Sequence, residues 1–129
     1  MNRRVVVTGT GVITPVGNDV QTYWKNILEG VCGIGVINSI PVDDLPVKIA
    51  GEVKDFNPAD YDIEAPFARK QDKFTVYAVA AAWQAVKESG ISSAEGGNID
   101  PLRFGVYVGS GIGGFTTQMR ETEKILNEG

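Results

Sequence analysis

The sequence predicts an α/β fold with a largely parallel sheet, and three observations support it. Val-rich runs at residues 4–8 and 103–109 are bounded by glycine, as short buried strands commonly are. Apolar residues recur at helical spacing around residues 20–28, 67–89 and 115–128. Strand and helix patterns alternate along the chain, which favours parallel strands joined by helical crossovers.

The first predicted helix follows a capping pair. Asn18 and Asp19 offer side-chain acceptors for the first free amides of a helix. The apolar stripe that follows has the spacing i, i+3, i+4, i+7 and i+8 and consists of Val20, Tyr23, Trp24, Ile27 and Leu28. Gly30 suits the position after the helix, because glycine adopts a left-handed conformation without steric cost.

Residues 31–66 are predicted to be mostly loop. The exception is residues 47–53, where apolar and polar side chains alternate and predict a half-exposed strand near a sheet edge. Residues 31–47 are rich in Gly, Pro and Asp and allow at most short strands, and residues 55–66 are predicted to be irregular.

The longest helical pattern runs from residue 67 to residue 89 and should end at Gly90. Its middle, residues 74–86, is apolar on nearly every face and rich in alanine. A helix with that pattern is expected to be buried on all sides, between two layers. A polar loop at residues 91–102 should follow it.

Composition excludes several classes of protein. The 129 residues are 43% hydrophobic with a net charge of −4, which indicates one globular domain and a poor binder of nucleic acid. One Cys and no His exclude a disulfide framework, a Cys-based zinc site and a Ser-His-Asp or Cys-His machinery built from this chain alone. Cys32 is therefore expected to be an unreactive thiol. No signal sequence or membrane span is recognised, so we expect a cytoplasmic protein.

Two glycine-rich turns raise the alternative of dinucleotide binding. Residues 109–114 satisfy G-x-G-x-x-G between a predicted strand and a predicted helix. However, no acidic residue follows about 20 positions later at the end of a strand. Residues 5–11 also resemble such a start, but Thr14 replaces the third glycine and Pro15 follows it. The glycines equally suit a sharp turn and close packing of backbones.

Arg69, Lys70 and Lys73 crowd the predicted start of the long helix. Cations at the positive end of a helix dipole cost about 0.3–1 kcal/mol each. Such a cost in an acidic chain points to a role in docking an acidic partner, with an ordinary solvated face as the alternative.

Taken together, several stretches resemble one family in order and spacing. They are residues 4–17, Trp24, residues 33–34, residues 50–56, residues 69–72 and residues 109–114. In this combination the chain resembles the start of a β-ketoacyl-acyl-carrier-protein synthase of the elongating type, in the synthase II subgroup. The resemblance covers essentially the whole chain, residues 1–129.

The resemblance implies a thiolase-like fold, with five αβαβα layers, of which this chain would be the N-terminal portion only. The family condenses an acyl chain with a malonyl unit carried on acyl carrier protein. A Cys holds the acyl group as a thioester, and two His assist decarboxylation. These family positions are expected beyond Gly129, so no catalytic residue can be assigned here, and Cys32 does not match.

The resemblance assigns supporting roles to residues in this chain. Ile112, flanked by Gly111 and Gly113, matches the family position that lines the acyl pocket and gates it. Arg69 and Lys70 match basic positions that dock acyl carrier protein. The family is homodimeric and uses no metal or organic cofactor, and nucleic acid or membrane partners are not expected. A non-catalytic partner with the same fold remains an alternative, and residues beyond Gly129 would decide it.

Overall fold

The computed structural model describes residues 3–93 and 96–129. Residues 94 and 95 of the predicted polar loop lie outside the described residues. The helices and strands, in chain order, are α1 (Val20–Leu28), β1 (Ile34–Val36), β2 (Ile49–Gly51), α2 (Ala65–Lys70), α3 (Lys73–Ser89) and α4 (Phe115–Glu128). Short 3₁₀ turns are formed by Pro58–Tyr61 and Pro101–Arg103.

Helix α1 confirms the prediction made from its capping pair. The amide of Thr22 donates to the Asp19 carboxylate at 2.8 Å, so the side chain caps the helix that it precedes. This hydrogen bond lowers the pKa of Asp19. Gly30 has φ +69° and follows the last turn, as expected for the residue after a helix.

The sheet differs from the parallel one that was predicted. In the described residues, β1 pairs with β2 in an antiparallel register, with Gly35 opposite Ala50. The strand predicted at 47–53 is therefore confirmed in its central part. Both strands are largely exposed, which fits the expected position near a surface.

The strands predicted at residues 4–8 and 103–109 are wrong for the described structure. Both segments lie outside the helices and strands, and Val5 and Tyr107 are 93% and 99% exposed. A strand needs a hydrogen-bonded neighbour, and the described part of the chain supplies none beside either segment. An apolar pattern alone does not provide that neighbour.

The long helix predicted at 67–89 is two helices. Gln71 and Asp72 have extended backbone angles, with ψ 152° and 149°, and separate α2 from α3. Helix α3 ends before Gly90, which has φ +65°, as predicted. Burial on all sides is wrong for the described residues, because only Val76 and Ala80 of α3 are buried.

The small core lies between α3 and the segment that precedes α2. Ile63 joins Val76 and Ala80 in it. The aromatic ring of Phe56 stacks on Tyr61 with centroids 5.4 Å apart and meets Tyr77 edge-on at 4.9 Å. One face of α3 is covered in this way.

The N-terminal segment runs along a second face of α3. Gly9 and Gly11 lie so close to the helix that a Cβ on either would overlap the carbonyl oxygen of Ala85 or Ala81. Gln84 donates to the carbonyl of Val12 at 3.0 Å. The alanines of α3 and the glycines of the segment therefore permit direct contact between two backbones.

None of the described helices is long and apolar enough to cross a membrane. The described residues also contain no group of three or more His, Cys, Asp or Glu side chains placed to hold a metal ion.

Candidate functional site

Arg69 and Lys70 are both exposed and lie in the last turn of α2. The helix dipole argument based on one long helix is therefore wrong for these two residues. Because the helix breaks at Gln71, the two cations are at a C-terminal end, where positive charge is favourable. Only Lys73 begins a helix, namely α3. We call residues 69–70 the basic segment below.

A shallow, largely apolar cavity of about 440 Å³ opens near the basic segment. Its lining includes Val53 and Phe56 together with Gln71, Lys73 and Tyr77. Burial raises the pKa of the Tyr77 hydroxyl. Ile112 does not line this cavity.

Residues 109–114 form a closed turn, which we call the glycine loop. The amide of Gly113 donates to the Ser110 hydroxyl oxygen at 3.0 Å, and Gly113 has φ +76°. Ile112 lies within the turn and is 78% exposed. A Cβ on Gly111 or Gly113 would meet no atom within 4 Å, so the space on both sides of Ile112 is open.

A carboxylate links the residue that precedes α3 to the first turn of α4. The amide of Thr117, in the first turn of α4, donates to Asp72 Oδ1 at 3.2 Å. The sequence analysis did not identify this contact. An Asp before a helix is expected to cap that helix, and the actual partner is 45 residues away.

The two glycine motifs are not free phosphate loops in this structure. Gly9 and Gly11 lie against α3, so the backbone there is covered. At the other motif, the Asp72 carboxylate already occupies the N-terminus of α4. A pyrophosphate placed there would meet a negative charge at the amides it needs. The geometry therefore disfavours dinucleotide binding at both motifs.

Cys32 is exposed, and its thiol lies 3.8 Å from the carbonyl oxygen of Ile34. The sequence has no His to act as its base. Nothing around this thiol in the described residues resembles an activated nucleophile.

A family model described as "Beta-ketoacyl synthase, N-terminal domain" matches residues 2–128. The chain belongs to the β-ketoacyl synthase family. This confirms the family that the sequence motifs resembled.

Two curated ketoacyl synthase relatives carry the same name, 3-oxoacyl-(acyl-carrier-protein) synthase 2. The Staphylococcus aureus (strain COL) protein is 44% identical over 128 residues, which are 99% of this chain and 30% of the relative. The Synechocystis sp. protein is 36% identical over 127 residues, 98% of this chain and 30% of the relative. The chain thus spans about 30% of the length of the curated relatives it matches.

A solved ketosynthase structure is also similar. It is titled "The ishigamide ketosynthase/chain length factor" and matches with a TM-score of 0.64 and 34% identity. The match covers 71% of this chain and 23% of that one. The described helices and strands therefore follow a ketosynthase fold over most of the chain.

Proposed function

We propose that this chain is the N-terminal portion of a fatty-acid chain-elongating condensing enzyme, a 3-oxoacyl-(acyl-carrier-protein) synthase. The observation that carries the proposal is the 44% identity to a synthase of that name along 99% of the chain. The proposal makes residues 1–129 the N-terminal part of a thiolase-like domain with five αβαβα layers. In that arrangement the apolar faces of α3 and the segments 4–8 and 103–109 pack against further layers.

The reaction needs groups that residues 1–129 do not contain, because this sequence has no His and only Cys32 as a thiol. The proposal assigns the acyl-accepting Cys and two His to positions beyond Gly129. The Cys thiolate attacks the acyl thioester and releases the carrier thiol. Malonyl carrier then loses carbon dioxide, and the resulting carbanion attacks the acyl-Cys carbonyl. A carbon–carbon bond forms and the Cys thiolate leaves, while backbone amides stabilise the transient oxyanion.

The basic segment is the proposed docking site for acyl carrier protein. Arg69 and Lys70 are exposed, and no carboxylate lies within ion-pair distance of either in the described residues. An acidic carrier would be attracted to two free cations that protrude from the end of a helix. The proposed docking residues then precede α3 in the chain, and the proposed gate follows it.

The glycine loop is the proposed gate of the acyl pocket. Ile112 is a large apolar residue flanked by Gly111 and Gly113, and the space around both glycines is open. A single apolar side chain on a turn of this kind can move between positions that admit or block an acyl chain. The proposal further describes a cytoplasmic homodimer that works without metal or organic cofactor.

Mapping the acyl-enzyme tests the proposed function. Full-length protein is incubated with acyl carrier protein bearing a labelled acyl chain, digested, and analysed by mass spectrometry for the acylated Cys. We expect one acylated peptide, from beyond Gly129, and none containing Cys32. Acylation confined to Cys32, or no acyl-enzyme at all, would contradict the mechanism. Cys32→Ser is the matched control and should leave acylation unchanged.

A further inference from the structure

Asp72 accepts hydrogen bonds from two different helices, through its backbone carbonyl from α3 and through its side chain from α4. Its carbonyl oxygen accepts from the amides of Thr75 at 3.0 Å and Val76 at 3.3 Å, so its backbone starts α3. Its side chain makes no capping bond to α3. Instead Oδ1 accepts from the amide of Thr117 in α4. An Asp at an N-cap normally caps its own helix, so this geometry is a departure from the local rule.

Gly114 makes room for this carboxylate at the start of α4. A Cβ on Gly114 would lie 2.5 Å from Asp72 Oδ2, which is too close for the carboxylate to stay in place. The close approach of Asp72 is therefore one reason that glycine suits this position.

Helix α4 has little else to hold its first turn. Among the described residues it packs closely against no other helix or strand. A carboxylate at the N-terminus of a helix satisfies a free amide and interacts favourably with the helix dipole. Asp72 therefore fixes where α4 begins, and through Gly114 it fixes the end of the glycine loop that carries Ile112.

We propose that Asp72 is a positioning residue for the gate, which holds the glycine loop against the α2–α3 junction. This inference rests on the proposed function, because it takes Ile112 as the gating side chain. Asp72 lies two residues after Lys70, so the same junction carries the basic segment and the anchor of the gate. When the anchor is lost, Ile112 is no longer held in one place, and the enzyme discriminates less well between acyl chains of different length.

The test compares variants on both sides of the contact in the full-length protein. Asp72→Ala removes the acceptor, and Gly114→Ala displaces it while leaving Asp72 present. Asp72→Asn keeps an acceptor oxygen and should behave like the wild type. Asp19→Ala is the matched control, because it removes a side-chain cap from α1 without touching α4. Gly105→Ala is the control for adding a methyl group, since a Cβ there meets nothing within 4 Å.

The first readout is hydrogen–deuterium exchange in peptides covering residues 109–120. Asp72→Ala and Gly114→Ala should speed exchange there roughly five-fold, as expected for loss of one helix cap. The double variant should add nothing further, because both changes break one contact. The controls should leave these peptides unchanged. Unaltered exchange in Asp72→Ala would overturn the proposal.

The second readout is the ratio of kcat/KM for a long and a short acyl carrier substrate. That ratio should move toward one by about five-fold or more in both variants, with rescue in Asp72→Asn. Faster exchange with an unchanged ratio would overturn the positioning role. If the wild type forms no condensation product, the proposed function fails, whereas the exchange experiment still decides whether Asp72 anchors the loop.

Discussion

Carboxylates in this chain act as acceptors for backbone amides at particular residues. Asp19 accepts from Thr22, and Asp72 accepts from Thr117. Glu88 accepts from both the amide and the hydroxyl of Thr10, which lowers the pKa of Glu88. Each bond fixes the start of a helix or the path of a loop. The acidic side chains at these positions are therefore structural.

Asp19→Ala should destabilise the full-length protein by about 1 kcal/mol, because α1 loses its cap. Asp19→Asn should retain most of that stability. The pKa of Asp19 is lowered from 3.8 by the amide of Thr22, so the ionised form is favoured in the folded state. Its contribution is full above the unfolded pKa and is lost as the pH falls through the folded value.

Urea unfolding at pH 7 and toward pH 3 measures the loss of stability on removal of the cap and its dependence on the charge of Asp19. The difference between wild type and Asp19→Asn should shrink over that interval, because the wild-type carboxylate becomes protonated. Equal midpoints for wild type and Asp19→Ala at pH 7 would refute the cap.

Arg69→Glu combined with Lys70→Glu should weaken binding of acyl carrier protein to the full-length protein roughly ten-fold or more at low salt. Lys25→Glu is the matched control, because Lys25 is also exposed and lies in the last turn of a helix, α1. Each reversed charge incurs a similar cost against a helix dipole, so a loss of binding in the double variant that exceeds twice the loss of binding free energy in Lys25→Glu reports docking. Calorimetry at two salt concentrations measures it, and the effect should fade as salt rises.

An unchanged dissociation constant in the double variant would exclude the basic segment as the docking site. Equal weakening by Lys25→Glu would instead show a general effect of net charge.

Features that depend on adjacent residues were predicted correctly from the sequence, whereas a contact between residues far apart in the chain was not. The cap at Asp19 and the glycines at 30 and 90 depend on a few adjacent residues, and the structure confirms them. The contact of Asp72 depends on a partner 45 residues away, and its residue type is equally consistent with capping α3. Only the three-dimensional structure shows that Asp72 caps α4 and not α3.

At the scale of elements, the break between α2 and α3 changes the electrostatics of the candidate site. Two residues with extended backbone place Arg69 and Lys70 at the C-terminal end of one helix rather than at the start of another. The prediction of a single helix over residues 67–89 extended the apolar pattern across the polar residues 69–73, where the helix breaks. Arg69 and Lys70 remain candidates for docking an acidic partner because they are exposed, and not because they are unfavourably placed in a helix dipole.

The contact between the N-terminal segment and α3 should tolerate no added side chain. Gly11→Ala should destabilise the full-length protein by about 1–3 kcal/mol, because its Cβ would overlap the Ala81 carbonyl oxygen. Gly35→Ala, where a Cβ meets nothing within 4 Å, should change the midpoint of unfolding little. Thermal or urea unfolding measures both, and equal effects would contradict the close packing.

Pairing of strands was the weakest part of the sequence prediction. Residues 4–8 and 103–109 have strand patterns, yet within the described residues neither meets a hydrogen-bonded partner. The antiparallel pair β1 and β2 joins two strands that lie near each other in sequence. Pattern identifies candidates for strands, whereas partners in a sheet are a property of the fold.

At the scale of the whole molecule, the described residues bury little apolar surface for their composition. Of the residues that the structure describes, only Ile63, Val76 and Ala80 are buried, while large apolar side chains on α4 and on both Val-rich segments are exposed. The chain spans about 30% of the length of its curated relatives. These surfaces are consistent with the proposed layered domain, in which further elements would cover them.

The central claim is that this chain belongs to an enzyme that elongates acyl chains by condensation. The direct measurement incubates acyl-carrier and malonyl-carrier protein with the full-length protein, with residues 1–129 alone as the matched control, and follows the product by mass spectrometry. We predict release of carbon dioxide and a 3-oxoacyl product two carbons longer with the full-length protein, and none with residues 1–129. Product formed by residues 1–129, or no product from folded full-length protein that binds the carrier, would contradict the account.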